Sequence, residues 1–221
     1  KKNYLADIYI KKIISSKTNS RIFVNVQNTT KSFLIKKNLL PYLHNFLASV
    51  AIISELYDLK NIDEKLFYNF KLPLSRGDIT KIRLKNKLIY FTDESYNSNP
   101  LSLTSAIKNF DMINVKPSKK QILLGDMLEL GKHSKELHRK IVPLLNSSKI
   151  AKINVFGKDI KETFKNLRVS KKGLILKNSA GIIKLIKSHL NNNDYLMIKG
   201  SNSTGLNKLT KTLKSGNLNA L

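Results

Sequence analysis

From residue 80 onward the sequence repeats one unit, in which a short apolar segment precedes a longer amphipathic one. The apolar segments, each of a length suited to one strand, are KLIYFT (87–92), QILLG (121–125), KINVFG (152–157), GLILK (173–177) and DYLMIKG (194–200). The amphipathic segments, predicted as helices, cover 101–113, 134–147, 159–167, 179–191 and 205–214. Strict alternation of this kind is typical of a parallel sheet covered by helices on both faces. The sequence therefore predicts a doubly wound, Rossmann-like α/β domain.

The first forty residues show instead the two-residue alternation of β-strands. The alternating segments are YLADIYIKKI, SRIFVNVQ and KSFLIKKN, and NTT (28–30) is predicted as the hairpin turn between the last two. Helical spacing then predicts helices over 44–59 and 61–70. The second helix is predicted to begin with Asn61 as N-cap and Glu64 three positions later, the pattern of a capping box.

The segment KLPLSRGD separates these two patterns. Pro73 and Gly77 interrupt regular structure in it, because such residues mark turns and loops. We therefore place a domain boundary in this segment, which predicts one domain over residues 1–76 and another over residues 77–221.

The net charge of +25 makes nucleic-acid binding a hypothesis to be weighed. Five of the 40 basic residues are Arg and the other 35 are Lys, and the Lys residues are scattered with no run longer than two. Proteins that read bases and phosphates favour the planar fork of Arg. A solvated, Lys-rich surface is the favoured interpretation, and a basic nucleic-acid-binding α/β protein is the alternative.

Composition also bears on compartment. Cysteine is absent, which excludes a disulfide framework and a Cys-ligated metal. No apolar run approaches the roughly 20 residues that a membrane span needs. The first residues, KKNYLADIYIKKII, lack the pattern of a signal peptide. We expect a cytoplasmic protein without a membrane span.

Three polar clusters follow three of the predicted strands: DESYNSN, GDMLELG and KGSNSTG. In doubly wound sheets, ligands bind outside the carboxyl ends of the strands. Each cluster also has a purely structural interpretation. Asn99 and Pro100 make a good helix start, Gly125 and Gly131 suit turns, and Lys199-Gly200 suits a surface cap. The presence of all three at one predicted edge favours a binding site.

The residues of these clusters carry a family resemblance. DESYNSNP (93–100), LLGDMLELG (123–131) followed by His138, and IKGSNSTGLNKL (198–209) resemble the C-terminal half of the ATP-dependent Mur ligases. HNFLASVAI (44–52) is similar to a helix of the same family. The resemblance implies that residues 1–76 are the end of the central ATPase domain and that residues 77–221 are the Rossmann-like C-terminal domain.

Within the family, the resemblance implies the ligase that adds D-alanyl-D-alanine to UDP-N-acetylmuramoyl-tripeptide through an acyl phosphate, in peptidoglycan precursor synthesis. A D-N-P-R motif, expected for the ligase that adds the third residue, is absent. ATP and Mg²⁺ are the implied cofactors, and the tripeptide precursor and D-Ala-D-Ala the implied substrates. The protein is expected to be a monomer that binds no nucleic acid. Another Mur or folylpolyglutamate-type ligase is an alternative.

The resemblance also implies roles for particular residues. Those implied to bind the nucleotide are Asn45, Arg76, Asp93, Glu94, Tyr96 and Asn97. Glu94 matches the acid that binds the ribose, with Asp93 as its neighbouring alternative, and Arg76 matches an Arg that reaches the phosphates and stabilises charge during phosphoryl transfer.

The residues implied to bind the dipeptide are Asp126, Glu129, His138, Lys199, Ser201 and Asn202. Lys199 is expected to pair with the dipeptide carboxylate and one of the acids with its ammonium. Two positions depart from the family pattern. Leu43 stands before the His-Asn pair where Gly is usual, and Asn202 stands where Arg is common.

The sequence has no match to the G-x-x-G-K-T phosphate loop or to the Mg²⁺ ligands of the family. Both are expected to precede Lys1 in the full-length protein, so metal ligands are expected outside this chain. The 221 residues alone are therefore expected to be inactive.

Overall fold

The computed structural model describes residues 6–71, 77–84 and 86–215. The chain divides into two compact units, Lys1–Lys71 and Leu72–Leu221. This division lies close to the boundary that Pro73 and Gly77 predict. The assignment of the two parts to domains of a ligase stays a prediction.

The described residues of the first unit form a three-stranded antiparallel sheet and one α-helix. The elements are β1 (Ile8–Ser15), β2 (Asn19–Val26), β3 (Thr29–Lys36) and α1 (Leu43–Leu56), with a 3₁₀ turn over Lys37–Tyr42. Gln27 and Asn28, both with positive φ, form the turn between β2 and β3. A two-residue turn with both residues left-handed matches the twist of a hairpin. The predicted turn at 28–30 therefore begins one residue too late.

An aromatic cluster forms the centre of the first unit. Phe33, Phe46 and Phe67 contact one another edge to face, with ring centroids 5.0–5.7 Å apart. Phe67 lies in the segment that was predicted as the helix 61–70, and that prediction is wrong. The segment forms successive turns in which the Glu64 carbonyl accepts the Leu34 N–H of β3 (2.8 Å), and the Glu64 carboxylate pairs with Arg21.

The capping box at Asn61 is absent for the same reason. Asn61 ends a 3₁₀ turn, Leu59–Asn61, whose N-cap is Asp58. In a helix the Glu64 carbonyl would point along the helix axis and could not accept the Leu34 N–H. That bond and the packing of Phe67 therefore exclude a helix in this segment. The helix predicted over 44–59 is α1, which ends three residues earlier because Tyr57 is extended.

One helical stretch, Lys37–Leu56, has the length and mean hydropathy of a membrane span. Its first six residues are 3₁₀ and include Pro41. Phe46 and Val50 are buried in the first unit. The criterion uses length and composition alone, so one such stretch is weak evidence for a span.

The second unit is built on a six-stranded sheet in the order β4-β5-β9-β6-β7-β8. The strands are β4 (Asp78–Leu84), β5 (Lys87–Glu94), β6 (Lys120–Gly125), β7 (Lys152–Phe156), β8 (Lys172–Leu176) and β9 (Asp194–Lys199). The last five are parallel, which confirms the predicted doubly wound α/β fold. The edge strand β4 was not predicted, and it pairs antiparallel with β5 as a hairpin.

Six helices of this unit are described. They are α2 (Pro100–Asp111), α3 (Ser134–Arg139), α4 (Val142–Ser147), α5 (Lys161–Asn166), α6 (Ser179–Lys184) and α7 (Leu206–Lys214). The helix predicted over 134–147 is two helices, because Pro143 in the first turn of α4 has no N–H to continue the α3 ladder. The helix predicted over 179–191 ends at Lys184 and continues as a π turn, Leu185–His189.

The strand order determines which helices share a face. The steps β5 to β6, β6 to β7 and β7 to β8 move in one direction, and the step from β8 back to β9 moves in the other. Because crossovers are right-handed, the returning step places its helix on the opposite face. The two cores agree with this rule: residues of α6 and α7 share one, and residues of α2 and α4 share the other.

Two glycines allow α7 to approach the sheet closely. A Cβ on Gly125 would lie 2.6 Å from Leu206 Cδ1, and a Cβ on Gly200 would lie 2.8 Å from the same atom. The two glycines also lie side by side. A Cβ added to Gly125 would be 3.3 Å from Gly200 Cα. The loops after β6 and β9 therefore leave the sheet together.

Candidate functional site

The three polar clusters meet at one edge of the sheet. Glu94, at the end of β5, lies opposite Lys199 of β9, and Lys199 lies opposite Leu124 of β6. The clusters are brought together because β9, the last strand in sequence, inserts between the first two strands of the parallel set. This is the carboxyl edge at which doubly wound folds bind ligands.

The two adjacent carboxylates of β5 point to opposite faces, as consecutive side chains of a strand do. Asp93 is fully buried on the side of α7. Its Oδ1 accepts the N–H (3.0 Å) and the hydroxyl (2.6 Å) of Ser95, and its Oδ2 pairs with Lys214 Nζ at 3.0 Å. Thr210 Oγ1 lies 2.9 Å from Ser95 Oγ. Asp93 therefore attaches α7 to the loop after β5.

Glu94 lies on the other face, together with Lys199. Glu94 Oε2 is 3.7 Å from Lys199 Nζ, and their side chains are 17% and 2% exposed. Lys199 Nζ also donates to the Asn97 carbonyl at 2.8 Å. The ammonium thus stabilises both the Glu94 carboxylate and the loop that follows it. This placement does not support the predicted contact of Lys199 with a dipeptide carboxylate.

Asp126 and His138 also support backbone at the edge. The Asp126 carboxylate accepts the N–H groups of Lys158 (2.9 Å) and Ile160 (2.7 Å). His138 is fully buried. Its Nε2 accepts the Met127 N–H (3.0 Å), and its Nδ1–H donates to the Ser134 carbonyl (2.7 Å). An N–H only donates and a carbonyl only accepts, so these contacts fit an imidazole with its proton on Nδ1.

Replacing His138 with alanine is expected to lower the free energy of unfolding by about 2–4 kcal/mol, because it leaves a buried N–H unpaired and opens a cavity. Chemical denaturation of the 221-residue chain measures the loss. His133→Ala is the matched control, since its side chain is 62% exposed. Equal stability of the two variants would contradict the supporting role of His138.

Ser201 joins the loops that follow three strands. Its hydroxyl donates to the Ser98 carbonyl (3.1 Å) and accepts the Leu128 N–H (2.9 Å). Its own N–H donates to the Asp126 carbonyl (3.0 Å). These three bonds hold the loops after β5, β6 and β9 in one arrangement.

A cleft of about 280 Å³ opens above Ser201. Its lining residues come from the same three loops and are Tyr96, Asn97, Leu128, Glu129, Ser201, Asn202 and Ser203. The cleft is smaller than the roughly 300–1,000 Å³ that hold drug-sized ligands. Because all of these described lining residues except Leu128 carry a polar side-chain group, the cleft is suited to a small polar molecule.

Glu129 contributes the charged side chain of this lining. Its backbone is left-handed, with φ of 63°. A residue other than Gly or Asn at such a φ carries strain of order 1 kcal/mol. Strain of this kind persists where the surrounding structure fixes it, and here the Met127 and Leu128 N–H groups are both held by side chains.

The match to a protein family covers the same region. The profile of the Mur ligase, glutamate ligase domain, matches residues 81–202, which is more than half of the chain. The chain belongs to the Mur ligase family. The predicted family resemblance is confirmed.

Two curated relatives of this Mur ligase chain carry the name UDP-N-acetylmuramoyl-tripeptide--D-alanyl-D-alanine ligase. The Rickettsia prowazekii protein is 27% identical over 170 residues, which are 76% of this chain and 36% of that protein. A Buchnera aphidicola protein (strain Bp) is 33% identical over 144 residues, 64% of this chain and 30% of that protein. This Mur ligase chain thus spans about a third of the length of these relatives.

Solved structures show the same fold. MurF from Acinetobacter baumannii has a TM-score of 0.72 and 20% identity, over 95% of this chain and 45% of that one. MurF ligase from Thermotoga maritima, solved in complex with ADP, has a TM-score of 0.68 and 18% identity, over 97% of this chain and 47% of that one. These likenesses cover both units of the Mur ligase chain.

The structure separates the residues that were predicted to bind ligands. Tyr96, Asn97, Glu129, Ser201 and Asn202 line the cleft, whereas Asp93, Asp126, His138 and Lys199 support its walls. Asn45 belongs to the other unit of this Mur ligase chain, where it is exposed in the first turn of α1. Arg76 lies outside the described residues.

Sequence reasoning missed four residues of the site. Leu128 and Ser203 line the cleft, and from α7 Lys214 pairs with Asp93 while Thr210 contacts Ser95, which donates to Asp93. The motifs GDMLELG and KGSNSTG contain the first two, so the motif positions were a usable signal. Thr210 and Lys214 carried no signal, because their partners are more than a hundred residues away.

Some lysines of this Mur ligase chain are structural. Lys87, Lys120 and Lys171 each donate from Nζ to backbone carbonyls at 2.5–2.7 Å. Burial lowers the pKa of each of these three amino groups. They lie at or beside strand starts, away from the carboxyl edge. This use of Lys accounts for part of the basic composition without a nucleic-acid partner.

Proposed function

We propose that this chain is part of an ATP-dependent ligase that adds D-alanyl-D-alanine to UDP-N-acetylmuramoyl-tripeptide in the cytoplasm. The reaction forms an amide bond: ATP transfers its γ-phosphoryl group to the tripeptide carboxylate and leaves as ADP, and the deprotonated dipeptide amine then attacks the acyl carbon, loses a proton and displaces phosphate. The shared name of the curated relatives supports these substrates. The observation that carries the proposal is the single polar edge built from the ends of β5, β9 and β6.

In this proposal Glu94 binds the ribose of the nucleotide. Its carboxylate is partly exposed at the end of β5 and is held by Lys199. A carboxylate fits this part of ATP because it accepts hydrogen bonds from both ribose hydroxyls. ADP in the Thermotoga maritima relative is consistent with a nucleotide as a ligand of the family. Tyr96 and Asn97, on the loop after Glu94, line the cleft.

Phosphate and metal binding are not assigned to described residues. No three His, Asp or Glu side chains lie close enough to hold a metal ion within 6–71, 77–84 and 86–215. The 221-residue sequence also contains no G-x-x-G-K-T motif. When bound, Mg²⁺ would neutralise phosphate charge during transfer. Arg76 stays a proposed phosphate contact, on the resemblance alone.

The 221-residue chain alone is expected to show no ATP hydrolysis and no amide formation, whereas the full-length protein ligates the dipeptide. Catalysis needs a cradle of backbone amides and a Lys around the phosphates. Phosphate release and product formation are measured with ATP, Mg²⁺, UDP-N-acetylmuramoyl-tripeptide and D-Ala-D-Ala. Turnover by the chain alone would contradict the division of roles, and a full-length protein that forms no product would contradict the proposed function.

A further inference from the structure

The amino edge of the six-stranded sheet, at the opposite end of the strands from the cleft, is lined with lysine. Four of the five parallel strands have Lys as their first residue, namely Lys87, Lys120, Lys152 and Lys172. The fifth strand, β9, begins with Asp194, which pairs with Lys119 Nζ at 3.1 Å. Because parallel strands begin at the same edge, these lysines lie along one side of the second unit.

The segments that lead into these strands add further positive charge. The segments are 86–87, 111–120, 148–152, 168–172 and 187–194, and they contain ten Lys and Arg residues and two acids, Asp111 and Asp194. Asp194 is already paired with Lys119, and Asp111 Oδ1 accepts the Lys149 N–H at 2.6 Å. The amino edge therefore carries an excess of eight positive charges.

The acids of the second unit are concentrated at the other end of the sheet. Eight of its ten Asp and Glu residues lie at the carboxyl edge, in the loops that follow it or in the first turn of a helix after such a loop. They are Asp78, Asp93, Glu94, Asp126, Glu129, Glu136, Asp159 and Glu162. The second unit is thus polarised along its strands, with the amino edge as the positive end.

Helix capping explains part of this charge. The helices run back to the amino edge, where their last carbonyls carry partial negative charge. Lys120 Nζ donates to the Asp111 carbonyl (2.5 Å), Lys171 Nζ to the Ser148 carbonyl (2.6 Å), and Lys87 Nζ to the Leu190 carbonyl (2.6 Å). Capping does not explain four further cations of this edge that are exposed to solvent: Lys116, Lys149, Arg168 and Lys187.

Two apolar side chains are exposed at the same edge. Met112, at the end of α2, is 72% exposed, and Val169, before β8, is 84% exposed. Both are close in sequence to residues that contact the segment 148–152. Asp111 accepts the Lys149 N–H, and Lys171 donates to the Ser148 carbonyl. Exposed apolar side chains among cations suit a partner that is anionic at its surface and apolar beneath.

We infer that the amino edge of the second unit docks on an anionic phospholipid membrane, with its exposed cations against the headgroups and Met112 and Val169 at the boundary with the acyl chains. Nucleic acid is also anionic, but nine of the ten cations are Lys, and the five segments contain no aromatic residue on which a base could stack. Docking by this edge leaves the carboxyl edge and its cleft directed away from the membrane. The inference is independent of the proposed function.

The first test is co-sedimentation of the 221-residue chain with vesicles of phosphatidylcholine, with and without phosphatidylglycerol. Binding is expected only with phosphatidylglycerol and is expected to weaken as salt is added. The combined variant Lys116→Gln, Lys149→Gln, Arg168→Gln removes three exposed charges from the amino edge. It is expected to lower the affinity for anionic vesicles about 100-fold.

The matched control is the combined variant Lys132→Gln, Lys135→Gln, Lys161→Gln, which removes three exposed charges near the carboxyl edge. A six-residue strand separates the two edges by roughly 17–20 Å. Because salt screens charges beyond about 10 Å, this variant is expected to bind anionic vesicles almost as well as the wild type. Circular dichroism of both variants verifies that the fold is retained.

The second test locates the docking edge with a fluorescent residue. The chain contains no Trp, so a single introduced Trp is the only source of its emission. Val169→Trp is expected to shift its emission to shorter wavelength when anionic vesicles are added, because its ring enters a less polar layer. Leu101→Trp, at a position that is 78% exposed near the carboxyl edge, is the control and is expected to show no shift.

Four results would overturn the inference. They are no binding to anionic vesicles, equal binding to vesicles without phosphatidylglycerol, an equal loss of affinity in the two combined variants, and an emission shift of Leu101→Trp without one of Val169→Trp. Tighter binding to random-sequence DNA than to anionic vesicles at the same ionic strength would assign the edge to nucleic acid and would also overturn it.

Discussion

Glu94→Ala in the full-length protein is expected to raise the KM for ATP about 10- to 100-fold, because a ribose loses a charged acceptor whose hydrogen bonds contribute about 1.5–3 kcal/mol. The KM for D-Ala-D-Ala is expected to stay near its wild-type value, since Glu94 does not line the cleft. Steady-state kinetics with each substrate varied in turn measure both constants. Glu94→Asp, which keeps the charge on a shorter side chain, is expected to lie between the wild type and the alanine variant.

Lys199→Met provides a second measurement of the same site. Lys199 Nζ lies 3.7 Å from Glu94 Oε2 and is nearly inaccessible to solvent. Its loss is therefore expected to affect the KM for ATP in the same direction as the loss of Glu94. Equal effects of Glu94→Ala on both substrates would contradict its assignment to the ribose. If Lys199→Met changed only the KM for D-Ala-D-Ala, Lys199 would be assigned to dipeptide binding, as the sequence predicted.

Asp93→Ala is expected to lower the free energy of unfolding by about 3–5 kcal/mol, the usual cost of removing one partner from a buried ion pair. The substitution leaves Lys214, which is only 18% exposed, without its carboxylate. It also removes the carboxylate that accepts the hydrogen bonds of the Ser95 N–H and hydroxyl. For a unit of this size, each kcal/mol corresponds to a shift of about 2–4 °C in Tm. Thermal and urea unfolding of the 221-residue chain measure the loss.

Ser95→Ala is the graded comparison for Asp93→Ala. It removes a neutral hydroxyl from the same network and is expected to cost about 1 kcal/mol. Asp7→Ala, at an exposed carboxylate of the first unit, is the control for loss of an Asp side chain. A loss of stability for Asp93→Ala no larger than for Asp7→Ala would show that the network does not hold α7 to the sheet.

These two predictions separate neighbours that sequence reasoning treated as alternatives. The family resemblance implied that Glu94 binds the nucleotide, and Asp93 was its neighbouring alternative. Because successive side chains alternate along β5, the two carboxylates point to opposite faces of the sheet. Helix α7 covers only one of those faces. The face that α7 covers is a property of the strand order, so no local pattern distinguished the two carboxylates.

The helix predicted over 61–70 shows the same limit in the first unit. Asn61 and Glu64 have the spacing of a capping box, and local preference alone favours a helix. The Glu64 carbonyl instead bonds to Leu34 of β3, and Phe67 packs against Phe33 and Phe46. A contact thirty residues away outweighed a preference of a few tenths of a kcal/mol per residue.

The sequence by itself determined the parallel α/β domain and the family, and it predicted the carboxyl edge as the place of the site. Strand and helix periodicity are local properties, and DESYNSNP, GDMLELG and KGSNSTG lie within single loops. Only the tertiary structure decided which motif residues line the cleft and which support it. The insertion of β9 between β5 and β6 buried Lys199, and the packing of α7 buried Asp93, while Glu129 and Asn202 remained accessible. Burial depends on partners that are distant along the chain, and for that reason the roles of neighbouring polar residues follow from the fold and not from their order.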